Sequence, residues 1–123
     1  MNYNQEIIPL LEQYQGTTLR SISGQADIRI DYVNNENIGI TCSDGTTFTE
    51  PHSRTITVLN HLLDNGCTHV DAALKNSGTR RNIPETLLAN LPFIEHGKID
   101  NRKHLFLCEV DTHLLGTLEQ RGS

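Results

Sequence analysis

The spacing of apolar residues changes at Pro51, and this change divides the chain into two halves. In residues 5–15 apolar side chains recur at helical spacing. Residues 26–33 and 38–42 instead alternate between apolar and polar, which is the period of a strand with one solvated face. The first half, residues 1–50, is therefore predicted to be an N-terminal helix followed by a small antiparallel β-meander.

The second half, residues 51–120, returns to helical spacing and carries three predicted helices. The first has an apolar stripe and ends at Gly66, a residue suited to the left-handed C′ position. A capping box of Thr68 and Asp71 predicts a short second helix. A third helix is predicted from about residue 80 to 90, with a second capping box formed by its own Asn82 and Glu85.

Two strands, Phe93–His96 and His104–Cys108, follow the third helix. A last helix is predicted over Thr112–Gln120, and its Leu114, Leu115 and Leu118 are expected to close the core. A winged helix-turn-helix has this element order: three helices, of which the middle one is short, followed by a two-stranded ribbon. The sequence therefore predicts an α+β fold in which the N-terminal helix and β-meander pack on a C-terminal winged helix-turn-helix.

This arrangement predicts a non-catalytic module that binds duplex DNA. The third helix of a winged helix enters the major groove, so Arg80 and Arg81 at its start are expected to contact phosphates or guanine edges. Asn82 and Thr86 are candidates for hydrogen bonds to base edges. The predicted wing carries basic side chains that would hold the DNA backbone: Lys98, Arg102, Lys103 and His104.

The distribution of charge restricts this prediction to the second half. The chain has a formal net charge of −5. Residues 1–50 hold two basic and seven acidic residues, whereas residues 51–123 hold eight of each sign. The predicted DNA surface therefore excludes the acidic meander. With about four to six phosphate contacts, log affinity is expected to fall with the logarithm of the salt concentration at a slope of about −4 to −5.

Enzymatic and metal chemistry find little support in the sequence. Cys42, Cys67 and Cys108 are widely spaced among apolar or small neighbours, as expected of buried thiols in a reducing compartment. His61 and His69 beside Cys67 match no four-ligand zinc pattern. No nucleophile elbow, paired-carboxylate or glycine-rich phosphate motif is present. We expect no catalytic residue, metal or cofactor.

The order of elements resembles an accessory module found beside nuclease domains in bacterial restriction systems, including HNH-type enzymes of the McrA kind. The resemblance covers about residues 10–108. It rests on a helix before Asp64–Gly66 and on Arg80-Arg81 leading into a Leu-Leu-Ala-Asn-Leu-Pro run that ends at Pro92. This chain has Asn82-Ile83-Pro84 where the family has a serine. The resemblance implies recognition of DNA targets, including modified bases, for a partner nuclease domain that performs the cleavage.

Two other functions are consistent with the sequence. One is a protein-interaction or anti-restriction module, in which the acidic meander would dock a partner or imitate DNA. The other is a free-standing transcription regulator that dimerises through Leu114, Leu115 and Leu118.

The start of the chain is polar and acidic, and no apolar run reaches the ~20 residues of a membrane span, so a cytoplasmic location without membrane contact is expected. Residues 121–123 resemble a vector remnant, so the natural protein is expected to continue beyond them.

Overall fold

The alternating residues of the first half form a four-stranded antiparallel sheet in the computed structural model, which describes residues 1–121. Its strands pair in chain order and are β1 (Thr18–Leu19), β2 (Ile28–Val33), β3 (Asn37–Cys42) and β4 (Thr47–Pro51). Ile28 and Ile30 are buried on the inner face, whereas Arg29 and Asp31 point to solvent. The predicted meander is therefore present, with one solvated face.

A helical segment covers the inner face of this sheet. A π-helical turn, Tyr3–Ile7, leads into α1 (Ile8–Glu12), and Pro9 occupies the first turn, where its missing N–H costs nothing. The buried Tyr14 follows α1 and donates a hydrogen bond from its hydroxyl to the carbonyl of Leu87, at 3.1 Å. This contact joins the two halves of the chain, and one buried apolar cluster contains residues of both.

The second half contains three helices and a three-stranded sheet. The elements are α2 (His52–Asn65), β5 (Cys67–Thr68), α3 (Val70–Ala73), α4 (Asn82–Ala89), β6 (Ile94–Ile99) and β7 (Arg102–Leu107), and the strand order is β5-β7-β6. Gly66 ends α2 at a φ of 79°, which confirms its predicted role. Both capping boxes are wrong, because no side-chain hydrogen bond caps α3 or α4 in the described chain.

The α+β class is confirmed, but the winged helix-turn-helix arrangement is not. In such a domain the recognition helix exposes one face to DNA. Here every residue of α4 from Ile83 to Ala89 is buried, because the helix contacts α2 on one side and β6 on another and also accepts the hydrogen bond from Tyr14. The prediction that this helix enters a major groove is therefore wrong for this conformation.

The predicted C-terminal helix is also wrong, since residues 108–120 form bends, turns and one isolated bridge to His96. The backbone of this segment pairs with the body of the protein: the N–H of Thr112 donates to Pro92 and that of Gly116 to Asn90. Thr112 Oγ1 and His113 Nε2 also bond to the carbonyls of Pro92 and Ile94, so tertiary contacts hold the segment along the body of the protein. Leu114, expected in the core, is 78% exposed.

Candidate nucleic-acid interface

An open cleft of about 530 Å³ lies at the N-terminal end of α4. It is lined by Asp71, Gly78, Thr79, Arg80, Arg81, Asn82, Glu85 and Lys103. The loop before α4 supplies one wall, and Lys103 of β7 supplies the other. Arg80 and Arg81 thus share a cleft with Lys103, although more than 20 residues separate them along the chain.

A second cleft, of about 270 Å³, also has Lys103 in its wall. Its other lining residues are Ile22, Ser23, His96, Gly97, Lys98 and Gln120. Because Lys103 lines both clefts, the two adjoin, and their combined surface carries four cations and two acids, Asp71 and Glu85. We call this surface the cationic groove and define it by Arg80, Arg81, Lys98 and Lys103.

Strand alternation divides the predicted wing between two faces of the β6–β7 hairpin. Lys98 and Lys103 are register partners and lie on the face that also buries Leu105. Arg102 and His104 lie on the opposite face, where the His104 ring is 5.6 Å from that of His69, centroid to centroid. Only Lys98 and Lys103 therefore line the cationic groove.

Arg81 has a structural role in the loop before α4. Its Nε is 2.9 Å from a carboxylate oxygen of Asp71, and its Nη1 donates to the carbonyls of Asn76 and Gly78 at 3.1 and 2.8 Å. A guanidinium has five N–H donors, so these three contacts use much of its capacity. Arg81 borders the groove but mainly fixes the shape of the loop.

Arg80 is held less tightly. Its φ of 51° places it in the left-handed region, which is uncommon for residues other than glycine. The guanidinium lies 4.9 Å from the centroid of the Phe48 ring and 3.7 Å from a carboxylate oxygen of Asp44. Both partners come from the meander, so the acidic half positions a cation of the groove.

Glu85 forms the floor of the larger cleft, and its side chain is only 9% exposed. Its carboxylate is 3.4 Å from Nζ of Lys103. Burial raises the pKa of Glu85 above its ordinary value; Lys103 and His69 partly oppose this shift, and Asp71 adds to it. Sequence reasoning missed this role, because the position of Glu85 in α4 suggested a capping residue and gave no sign that Lys103 would face it.

The raised pKa predicts how stability depends on pH. Because the pKa is higher in the folded state, protonation of the Glu85 carboxyl stabilises the fold. This stabilisation is complete below pH 4.5, the ordinary pKa, and is lost as pH rises through the folded-state pKa. Glu85→Gln abolishes this titration. Urea unfolding across pH 4 to 8 should show the variant gaining stability relative to the wild type as pH rises. The matched change at exposed Glu36 should show no such trend; a parallel pH profile for both variants would contradict the prediction.

Asn82 and Thr86, the predicted base readers, have different positions. Asn82 lines the larger cleft, and its Nδ2 makes a long contact of 3.5 Å with the carbonyl of Ala26. Thr86 is completely buried, and its hydroxyl has no hydrogen-bond partner among residues 1–121. A direct role for Thr86 in reading bases is excluded in this conformation, because no ligand can reach it.

Substitution of Thr86 tests its burial. Thr86→Val replaces an unpaired buried hydroxyl by a methyl group of similar size, so stability should stay equal or rise by up to about 1 kcal/mol. Thr86→Ser, which keeps the hydroxyl and loses the methyl, should be destabilised by about 1 kcal/mol. Chemical denaturation measures both. A stable Thr86→Val variant that loses duplex binding would show that the hydroxyl is exposed for recognition after all.

Other kinds of site are not formed by the described residues. Within residues 1–121 no group of three or more His, Cys, Asp or Glu side chains is arranged to hold a metal ion. Cys42, Cys67 and Cys108 are free thiols that are only partly buried, not fully buried as expected. No helix in this part of the chain has both the length and the apolar character needed to cross a bilayer.

Comparison of the chain with protein-family models, with curated proteins and with solved structures found no match. The resemblance to restriction-system modules therefore stays a prediction, and function is inferred from the geometry of the groove.

Proposed function

We propose that this chain is a nucleic-acid-binding module that holds the phosphate backbone of duplex DNA in the cationic groove, with any cleavage performed by a partner nuclease domain. The main support is that Lys103 lines both clefts, which places it beside Arg80 and Arg81 in one cleft and beside Lys98 in the other. Phosphate recognition by several convergent cations is the main source of affinity in protein–DNA complexes.

The proposed mode of binding differs from that of a winged helix. Because α4 is buried, the loop before it and the β6–β7 hairpin would contact the DNA. Asn82 supplies the side-chain amide of the larger cleft, which can bond to base edges, including those of modified bases. Arg102 and His104 would take part only if the duplex wraps around the hairpin tip.

A salt series with plain and methylated duplexes tests this proposal. Arg81 is held by three short contacts, to Asp71 and two loop carbonyls, and is not counted. Arg80 and Lys103 each have one longer ion pair, at 3.7 and 3.4 Å, which a phosphate can displace, so with Lys98 about three phosphate contacts are expected. Log affinity should therefore fall with log salt at a slope of about −3, shallower than the sequence alone suggested. Binding that does not change with salt, or no binding to any duplex at low salt, would overturn the proposal. A preference for methylated duplexes would support reading of modified bases.

The two alternative functions have weaker structural support. Four acidic residues that would imitate DNA already bond to other groups of the chain. Asp27 and Asp44 accept hydrogen bonds from the N–H groups of Ser21 and Thr46, and Asp31 and Glu50 pair with Arg29 and Arg54. Leu115 and Leu118, expected to form a dimer helix, pack against the core of the same chain.

A further inference from the structure

Glu50 is an acidic residue buried inside the fold, away from the groove. It lies on β4, next to the start of α2, and is only 3% exposed. Its two carboxylate oxygens accept hydrogen bonds from Nε and Nη2 of Arg54, both at 2.8 Å. This bidentate geometry is the strongest form of a carboxylate–guanidinium pair. Neither residue lines the cationic groove, so the proposed function leaves the pair without a role.

The same guanidinium reaches the loop that carries Arg80. Nη1 of Arg54 donates to the carbonyl of Thr79 at 2.7 Å, and Nη2 lies 3.4 Å from the carbonyl of Arg80. Arg54 therefore connects β4 and α2 to the peptide between Thr79 and Arg80. A lysine at position 54 has no planar fork and cannot make these contacts together.

The conformation of Arg80 requires such support. A non-glycine residue at a φ of 51° costs free energy and persists where its surroundings hold it. The Phe48 ring and Asp44 hold the side chain, whereas Arg54 holds the two peptide carbonyls that flank Arg80, those of Thr79 and of Arg80 itself. Without Arg54 the left-handed backbone at Arg80 loses both of these contacts.

We propose that Glu50 and Arg54 form a positioning pair that holds the Thr79–Arg80 peptide and thereby places Arg80 in the cationic groove. The importance of this placement for affinity rests on the proposed function. The pair itself does not touch the nucleic acid. It links the acidic meander, through β4, to the basic surface of the second half.

Arg54→Lys tests the pair, first in the free protein. Hydrogen exchange at the amide of Ile83, which donates to the Arg80 carbonyl at 3.0 Å, should become at least about tenfold faster, while exchange in β2 and β3 stays unchanged. Arg29→Lys is the matched control, because Arg29 pairs with Asp31 on the solvated face of the meander. Unchanged exchange at Ile83, or the same acceleration in the control, would overturn the proposal.

Binding by the variants supplies the second readout. Arg54→Lys should weaken duplex binding about tenfold and make the salt slope shallower by about 1, since one phosphate contact is lost. Glu50→Gln removes one negative charge from the protein, so Coulomb attraction alone predicts tighter binding, whereas loss of positioning predicts weaker binding. Tighter binding by a folded Glu50→Gln variant would overturn the proposal, even if Arg54→Lys fails to fold. If the wild-type chain binds no duplex, the proposed function fails, and the exchange result alone decides whether the pair positions the loop.

Discussion

The double variant Arg80→Gln plus Lys103→Gln is expected to bind duplex DNA about 30-fold more weakly than the wild type at low salt. These two side chains stand on opposite walls of the larger cleft, so a phosphate backbone lying in it would contact both. Loss of two phosphate contacts should also change the salt slope from about −3 to about −1. Titration of a labelled duplex at several salt concentrations measures both effects.

A control variant separates the groove from general electrostatics. Arg29→Gln plus Lys75→Gln removes the same charge from exposed positions outside the groove, so its affinity should fall less than about threefold. Arg81 is left unchanged in both variants, because its substitution would also break the contacts that shape the loop. Equal losses in the two variants would show that net charge, and not the groove, determines binding.

Replacing Leu87 by alanine is expected to lower the free energy of unfolding by about 3 kcal/mol. Leu87 is completely buried in α4, and its removal leaves a cavity between layers that cannot fully collapse. Urea unfolding measures the change as a lower midpoint. A recognition helix tolerates substitutions on its exposed face, whereas α4 has no such face between Ile83 and Ala89.

The matched control for this prediction is Leu114→Ala. The sequence pattern placed Leu114 in the core, but its side chain is 78% exposed. Its truncation should therefore change stability by less than about 0.5 kcal/mol. If Leu114→Ala were as damaging as Leu87→Ala, the exposed position of Leu114 in the irregular C-terminal segment would be wrong.

Much of the fold was predictable because it depends on local periodicity. Alternation in residues 28–31 and 38–42 defines which face of the meander is buried, since a shift by one residue would expose every apolar side chain. A β-bulge after Ile30 reverses the pattern at the end of β2, so that Tyr32 is exposed and Val33 is buried. The same rule, applied to the hairpin, separates Lys103 from Arg102 and His104 on sequence grounds alone. Grouping them as one basic wing ignored the alternation of the strand.

The burial of α4 was not predictable from its own residues. Glu85, Thr86 and Asn90 are polar, and the DNA-binding hypothesis placed Thr86 on an exposed face. In the structure, Lys103 neutralises Glu85, and Asn90 donates to the carbonyl of Arg20, 70 residues away. A polar side chain can be buried when its partners are supplied by other elements, and periodicity within a helix carries no information about them.

The sequence by itself determined the α+β class, the meander and its buried face, the end of α2 at Gly66, and the scarcity of positive charge in the first half. Only the tertiary structure decided that α4 is a core helix and that Arg80 and Lys103 share one groove. Only the structure, too, revealed that Glu50 and Arg54 reach the loop that carries Arg80. The physical reason is range: strand and helix periods arise between near neighbours, whereas burial and charge pairing depend on contacts between residues distant along the chain.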